Sequence, residues 1–536
     1  MNSSLQIILI FFIQLIFFLA VSFSKQKPNF LLIVTHSHSV NTIGAYNGTF
    51  SNSNPTPNLD RIASGGTVFK NAFCVNSSAG PSSASLLTGN YSHINGIFKN
   101  GDNFDFSNHS VHELLHKAGY ETAIIGRWDL GTKPEYFDFW NILVDKSEKF
   151  NPEFISMNEQ KRIEGHSTDI ITDIAIQWLN KRQNSRPYFL IIQYNATSEP
   201  WMPAIRHLNL YDDTLLPEPN SLKTEHVGKS SPARYQQMDI SEELDFKNDL
   251  FFYDQNKDKN ESSKEIESKA KLNLSAMTPE QLSAWSLSWR PKNEAFLRES
   301  ISDIDVINWK FQRFIKNYLR CVRGIDENLL RLEEIILKNK HTKTYFIYTS
   351  NKSRFLGENG WFGSKWFYDL SSQIPLIISS DLTNSSNNTI NSIVKNIDIA
   401  PTILDFADID NLQNCQGTSL KKIVCNNDSN TSLEGSVYYH HHDFPGPQMV
   451  AKHYGIRTIK HKLIHYYQFN EWEFFDIISD PLENDNLYNK QIYKSEITNL
   501  KKILKEFRLK YDDTTDISIM PDNWRKMYRG PEARKK

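Results

Sequence analysis

Cysteine is scarce in this chain. Four among 536 residues cannot staple a disulfide scaffold, so stability has to come from a hydrophobic core. Cys415 and Cys425 lie near enough in sequence to close a small loop, whereas Cys74 and Cys321 read as buried thiols. An excess of either charge is also missing, because 60 Lys and Arg face 62 Asp and Glu. With no basic stripe interleaved with aromatics, composition gives no ground for a nucleic-acid partner. Nor does any Lys or Arg precede the first apolar run, from Leu5 to Phe23, which Gln14 interrupts. Ser22 and Ser24 put small residues at both positions a signal peptidase reads before Lys25, so residues 1–24 are expected to be a cleaved signal peptide. The length of the run and its bare N-terminal flank keep a signal anchor as the alternative.

A leader of this kind implies the secretory pathway, ending outside the cell or in a lysosome, with no membrane contact once it is cleaved. About a dozen Asn-x-Ser/Thr sequons follow it, among them Asn47, Asn90, Asn108, Asn273 and Asn427, and N-glycosylation is expected. Several lie in polar stretches, 384–388 and 426–432, where an exposed acceptor is anticipated.

What the chain does have is enough length for one large domain and a smaller one. Short β-branched apolar runs at 29–34, 122–125, 188–193, 344–348 and 375–378 predict buried strands. Helical patterns at 58–64, 82–88, 110–118, 168–181 and 307–338 separate them. This alternation predicts an α/β domain over 25–425, with a mostly parallel sheet between helices and any ligand at the strands' carboxyl ends. Residues 235–271 are dense in Lys, Glu, Asp, Asn and Ser and read as an exposed polar insertion. Within 426–536, alternating runs at 453–458, 462–467 and 473–476, then an amphipathic stretch at 495–511, predict a small antiparallel sheet with a packed helix.

Landmarks in order along the chain carry a family resemblance. They are Thr56-Pro57-Asn58-Leu59-Asp60-Arg61, Pro81-Ser82, Leu87-Thr88-Gly89, Ala118-Gly119-Tyr120, and Gly126 with Trp128. Val322-Arg323-Gly324-Ile325-Asp326, Thr349-Ser350, Gly357-Glu358, Gly360-Trp361-Phe362, Asp480-Pro481-Leu482-Glu483 and Asn486-Leu487 continue the series. Together they resemble the sulfatases of the alkaline-phosphatase superfamily. The resemblance implies that superfamily's large mixed-sheet domain and small C-terminal subdomain. The stretches 309–313 and 453–455 look like those of sulfatases acting on glycans.

The resemblance also implies a chemistry, and here the sequence departs from it. Sulfatases use a cysteine oxidised to formylglycine within Cys-x-Pro-Ser-Arg, a divalent cation that is usually calcium, and Lys, Arg and His groups that neutralise charge and shuttle protons. This chain has Ala79 at the cysteine's place and Ser83 at the arginine's. The paired aspartates expected after the first strand are His36 and Ser37, and the later pair is Asn351 and Lys352. Gly-Lys-Trp-His becomes Gly126-Arg127-Trp128-Asp129, the histidine after the 188–194 run aligns with Ser198, and a further lysine aligns with Ser364, one place before Lys365. No carboxylate stays at the metal positions, and a protonated lysine cannot ligate a cation.

The expectation is therefore a pseudosulfatase without calcium or formylglycine. Arg127, Lys365 and His453 would offer contacts to a sulfated or otherwise anionic glycan, and an active sulfatase paralogue is a second conceivable partner. The alternative is a hydrolase of sulfate or phosphate esters with new chemistry, built on Ser78, His36, His38 or Asp129. His36 with His38 would need a third group for zinc, and Lys352 would fill the metal's place or be paired locally. His440-His441-His442-Asp443 reads as a polar loop rather than a metal cluster.

Overall fold

A computed structural model describes residues 26–107, 109–182, 186–226, 228–252, 269–298, 302–338, 342–380, 388–426 and 435–518. Helices of seven residues or more are numbered below. The large sheet contains β1 (Asn29–Thr35), β2 (Thr67–Phe73), β3 (Glu121–Gly126), β4 (Phe139–Leu143), β5 (Glu153–Ser156), β6 (Gln160–Arg162), β7 (Tyr188–Gln193), β8 (Thr344–Ser350), β9 (Leu376–Ser379) and β10 (Asn388–Lys395). Their order across the sheet is β10-β2-β9-β8-β1-β7-β3-β4-β5-β6. The centre is parallel, with Leu32 opposite both Ile191 and Ile347, while β9, β5 and β6 run antiparallel to their neighbours.

The apolar runs are continuous because both faces of the central strands are covered. Successive side chains alternate: Leu31 and Ile33 enter one core with Ile125, Ile192 and Phe346, and Phe30, Leu32 and Val34 enter another with Ile124, Ile191 and Ile347. The first core is closed by α1 (Pro57–Ser64), α4 (Ser167–Lys181) and α7 (Asp303–Lys338), and the second by α2 (Ala79–Thr88), α3 (Val111–Lys117) and α8 (Ile399–Phe406). Between α4 and α7 come α5 (Lys269–Ala276) and α6 (Pro279–Arg298). A second sheet, β11 (Ser436–His441), β12 (His453–Thr458), β13 (His461–Tyr466) and β14 (Glu471–Asp476), is antiparallel in that order and carries α9 (Lys494–Lys510).

Several expectations change. Residues 235–252 are not a solvated loop: Met238, Ile240, Leu244, Leu250 and Phe251 are buried, and Lys310 Nζ donates to the carbonyls of Ser241 and Leu244 at 2.9 Å each. Their apolar residues are spaced too widely among charges to register as an element, yet they pack under α7. The rest of that stretch up to residue 268 lies outside the described residues, as do residues 1–25, Asn108 and Asn427. Cys415 and Cys425 are both free thiols, and Cys415 Sγ instead approaches the Gly89 carbonyl at 3.6 Å. The histidine run is no loop either, since His440 and His441 end the buried strand β11. Asn90 and Asn273 are buried, and Asn273 is bonded to the main chain at Lys149 and Ser147, so neither amide can accept a glycan in the folded chain, whereas Asn47 is exposed. The C-terminal sheet packs on the large domain through one core that holds Phe311, Trp366, Tyr439, Tyr466 and Phe475. Among the described residues, no helix is long and apolar enough to cross a membrane.

Candidate active site

The carboxyl ends of β1, β3, β7 and β8 converge, as parallel strands require, and the chain leaves each in turn. His36 and Ser37 follow β1, Arg127 follows β3, Asn195 and Ser198 follow β7, and Asn351 and Lys352 follow β8. Ser37 holds the left-handed conformation at φ 63°, and its carbonyl accepts from Tyr318 Oη at 2.7 Å and Thr197 Oγ1 at 3.0 Å. His36 Nδ1 meets Asn351 Nδ2 at 3.1 Å, which binds the first turn to the last.

The fifth contributor is the start of α2. Ser78 is its N-cap residue and Ala79 its first residue, both buried. Gly80 lets this end press on the loop after β3: a Cβ there would stand 3.2 Å from the Asp129 carbonyl. Where an attacking group would emerge there is only the methyl of Ala79. Ser78 Oγ is buried without a hydrogen-bond partner among the described residues, so no base is placed to activate it.

Positive charge surrounds this point. Arg127 is clamped by Asp129, with Nε 2.7 and 2.9 Å from its two oxygens, and Gln193 Nε2 adds a bond to Asp129 at 2.9 Å and a long one to Ser83 Oγ at 3.4 Å. Arg354 pairs with Glu199, whose burial acts to raise its pKa, but Arg354 and Lys352 outweigh this and hold it at about 2. Lys352 Nζ donates to Ser364 Oγ at 2.8 Å, and Lys149 Nζ donates to Ser198 Oγ at 2.8 Å and the Asn195 carbonyl at 3.3 Å. Neither lysine has a carboxylate within ion-pair distance among the described residues. Burial pushes each ammonium down to about 7, with Glu199 pulling the other way in both cases. Burial, then Arg127, Lys352, Arg354 and Lys149, hold His36 neutral well below its ordinary pKa.

Other candidates fall away. His38 spends both ring nitrogens, on Tyr348 Oη at 2.6 Å and Thr42 Oγ1 at 3.1 Å, and is no partner for His36 in a zinc site. Asp129 is consumed by Arg127. His453, expected as an anion contact, is buried with Nδ1 2.7 Å from the Ala451 carbonyl and Nε2 accepting from the Phe367 amide at 3.1 Å. It has no nitrogen left to offer. Lys365 is bridged to Asp443 at 3.3 Å.

These residues do not fit a divalent cation. His36, Ser37 and Asn351 carry no negative charge, and four cations act on His36 where a hard cation would need carboxylate oxygens. Among the described residues no group of three His, Cys, Asp or Glu is arranged for a metal.

A family model described as Sulfatase matches residues 28–409, well over half of the chain, and one described as N-sulphoglucosamine sulphohydrolase, C-terminal, matches residues 357–510. The chain belongs to the sulfatase family. It is 34% identical over 495 residues to the N-acetylglucosamine-6-O-sulfatase of Bacteroides thetaiotaomicron, covering 91% of this chain and 87% of that one. The arylsulfatase of Clostridium perfringens is 24% identical over 92% of this chain and 96% of its own. A solved structure holding its substrate, D-glucosamine-2-N,6-O-disulfate, superposes with a TM-score of 0.86 at 33% identity, over 92% of this chain and 99% of that one. The fold is the alkaline-phosphatase-like sulfatase fold, shared also with a phosphonate monoester hydrolase from Silicibacter pomeroyi at a TM-score of 0.65 and 16% identity, over 91% of this chain and 96% of that one. The ordered landmarks had carried that likeness. Arg354 and Glu199 were legible by the same rule that ligands gather after strands, but Lys149, between β4 and β5, gave no signal in the sequence.

Proposed function

We propose that this sulfatase-family chain is a pseudoenzyme that holds a sulfated glucosamine unit of a glycan and does not cleave it. Ala79 carries the reading. An unactivated methyl at the head of α2 supplies neither the formylglycine precursor nor any other nucleophile, and Ser83 removes the neighbouring arginine. Each lost group in such a site is worth about 10²- to 10⁴-fold in rate, and their joint loss leaves no route to S–O cleavage. Calcium and formylglycine have no part in this reading.

Retention is supported by the charge that survives. Arg127 Nη1, Lys352 and Lys149 are cationic groups without full neutralisation, and charge-assisted hydrogen bonds from such groups select sulfate. The sugar is assigned from the comparisons: a relative is named for the 6-O-sulfate of N-acetylglucosamine, and a similar structure holds a 6-O-sulfated glucosamine as its substrate. The apolar leader and the exposed Asn47 sequon support a secreted or lysosomal glycoprotein.

Isothermal titration of the purified chain with glucosamine 6-sulfate at physiological ionic strength tests the proposal. Saturable binding is expected, weakened about tenfold by Arg127→Ala, with no free sulfate appearing in the cell. Absence of binding, or release of sulfate, would refute it.

A further inference from the structure

Sulfatases hold their anion against a divalent cation, and the residues of this chain do not fit one. We infer that Lys352 is the resident cation of the cleft: its ammonium replaces the metal, and the site binds a sulfate group without any divalent ion. This rests on the proposed anion-holding role and adds how the anion is held.

Position comes first. Lys352 occupies the place after β8 from which a sulfatase ligand would reach the metal, next to Asn351, whose amide meets His36 across the cleft. The side chain does not leave for solvent, because Lys352 is only 8% exposed and its ammonium is fixed by Ser364 Oγ at 2.8 Å. Ser364 is itself the residue aligned with a sulfatase lysine. One position has thus lost an ammonium and the other gained it, with the new hydrogen bond joining the two.

Charge comes second. A metal site of aspartates would neutralise a lysine placed there, but His36, Ser37 and Asn351 are neutral. The acid that acts on Lys352 is Glu199, already paired with Arg354. The oxygens of Ser37, Ser78 and Asn351 that have no partner among the described residues are neutral as well. A divalent ion added beside Arg127, Lys149, Lys352 and Arg354 would be repelled by all four, whereas a sulfate group would be attracted by each.

Titration of the full-length chain with inorganic sulfate, once in EDTA and once in excess calcium, decides the matter. Affinities equal within about twofold are expected, with Lys352→Met weaker by about tenfold or more in both buffers and Lys352→Arg within about threefold of the natural chain. Binding that needs calcium, binding unchanged by Lys352→Met, or no sulfate binding in either buffer overturns the inference. Should Lys352→Met fail to fold, Lys352→Arg and a calcium titration of the natural chain still decide it, because stoichiometric calcium binding contradicts a resident ammonium. Sulfate held through Lys352 together with no affinity for glucosamine 6-sulfate would uphold this inference and refute the saccharide assignment.

Discussion

In the proposed pseudoenzyme, reversing position 79 alone does not restore the chemistry. Ala79→Cys restores the thiol but not the arginine replaced by Ser83, nor the metal ligands that the family resemblance places at positions 36, 37, 351 and 352. The variant is expected to stay without sulfatase activity, and to carry an intact cysteine rather than an aldehyde, which intact-mass spectrometry would read. The two buried lysines give a second residue-scale prediction. Lys149 and Lys352 titrate near 7 when folded and near 10.4 when unfolded, so between those values the unfolded chain binds more protons and stability rises with pH. Anion binding runs the other way, since it needs the ammonium form. Affinity for sulfate should fall about tenfold or more from pH 6 to pH 9, while the melting temperature measured without ligand gains from these two groups. Substitutions at aligned positions were legible in the sequence. The hydrogen bonds that repurpose them were not, because Lys352 meets Ser364 through the path of an irregular connection and Lys149 meets Ser198 only when the ends of β4 and β7 are brought together.

At the scale of elements, the C-terminal sheet is locked to the large domain by one buried charge network. Lys462 Nζ, fully buried, contacts Asp369 Oδ1 at 2.5 Å, Glu483 Oε1 at 2.6 Å and the Phe367 carbonyl at 2.6 Å, while Arg457 reaches Asp369 at 2.9 Å. Removing one partner from such a network strands the others in a low dielectric. Lys462→Met should cost about 3–5 kcal/mol in urea unfolding, and Asp369→Asn should cost less, since Lys462 would still hold Glu483 and the Phe367 carbonyl and Arg457 the Thr458 carbonyl. Central strands were readable because burial on both faces leaves an unbroken apolar run. The edge strands β4 to β6 were not, as Asn141 interrupts Phe139–Leu143 and the three residues of Gln160–Arg162 are all polar and exposed. Helix α6 also escaped notice: Trp285, Trp289 and Asn293 are its only buried residues, so its periodicity is thin over 20 residues.

For the whole molecule, ordered landmarks from Thr56 to Leu487 were enough to anticipate the family, and the apolar runs and alternating runs its two sheets. The polar reading of 235–271 missed residues 235–252, where Met238, Ile240, Leu244 and Leu250 join the core that holds α7, Trp366, Tyr439 and Phe475. The central claim is that this scaffold has kept its anion-attracting charge while losing the means to cut. Release of inorganic sulfate from glucosamine 6-sulfate, followed by ion chromatography with calcium supplied, tests it most directly. No release above the protein-free control is predicted, whereas turnover at ordinary enzyme rates of about 1 s⁻¹ or more would contradict it.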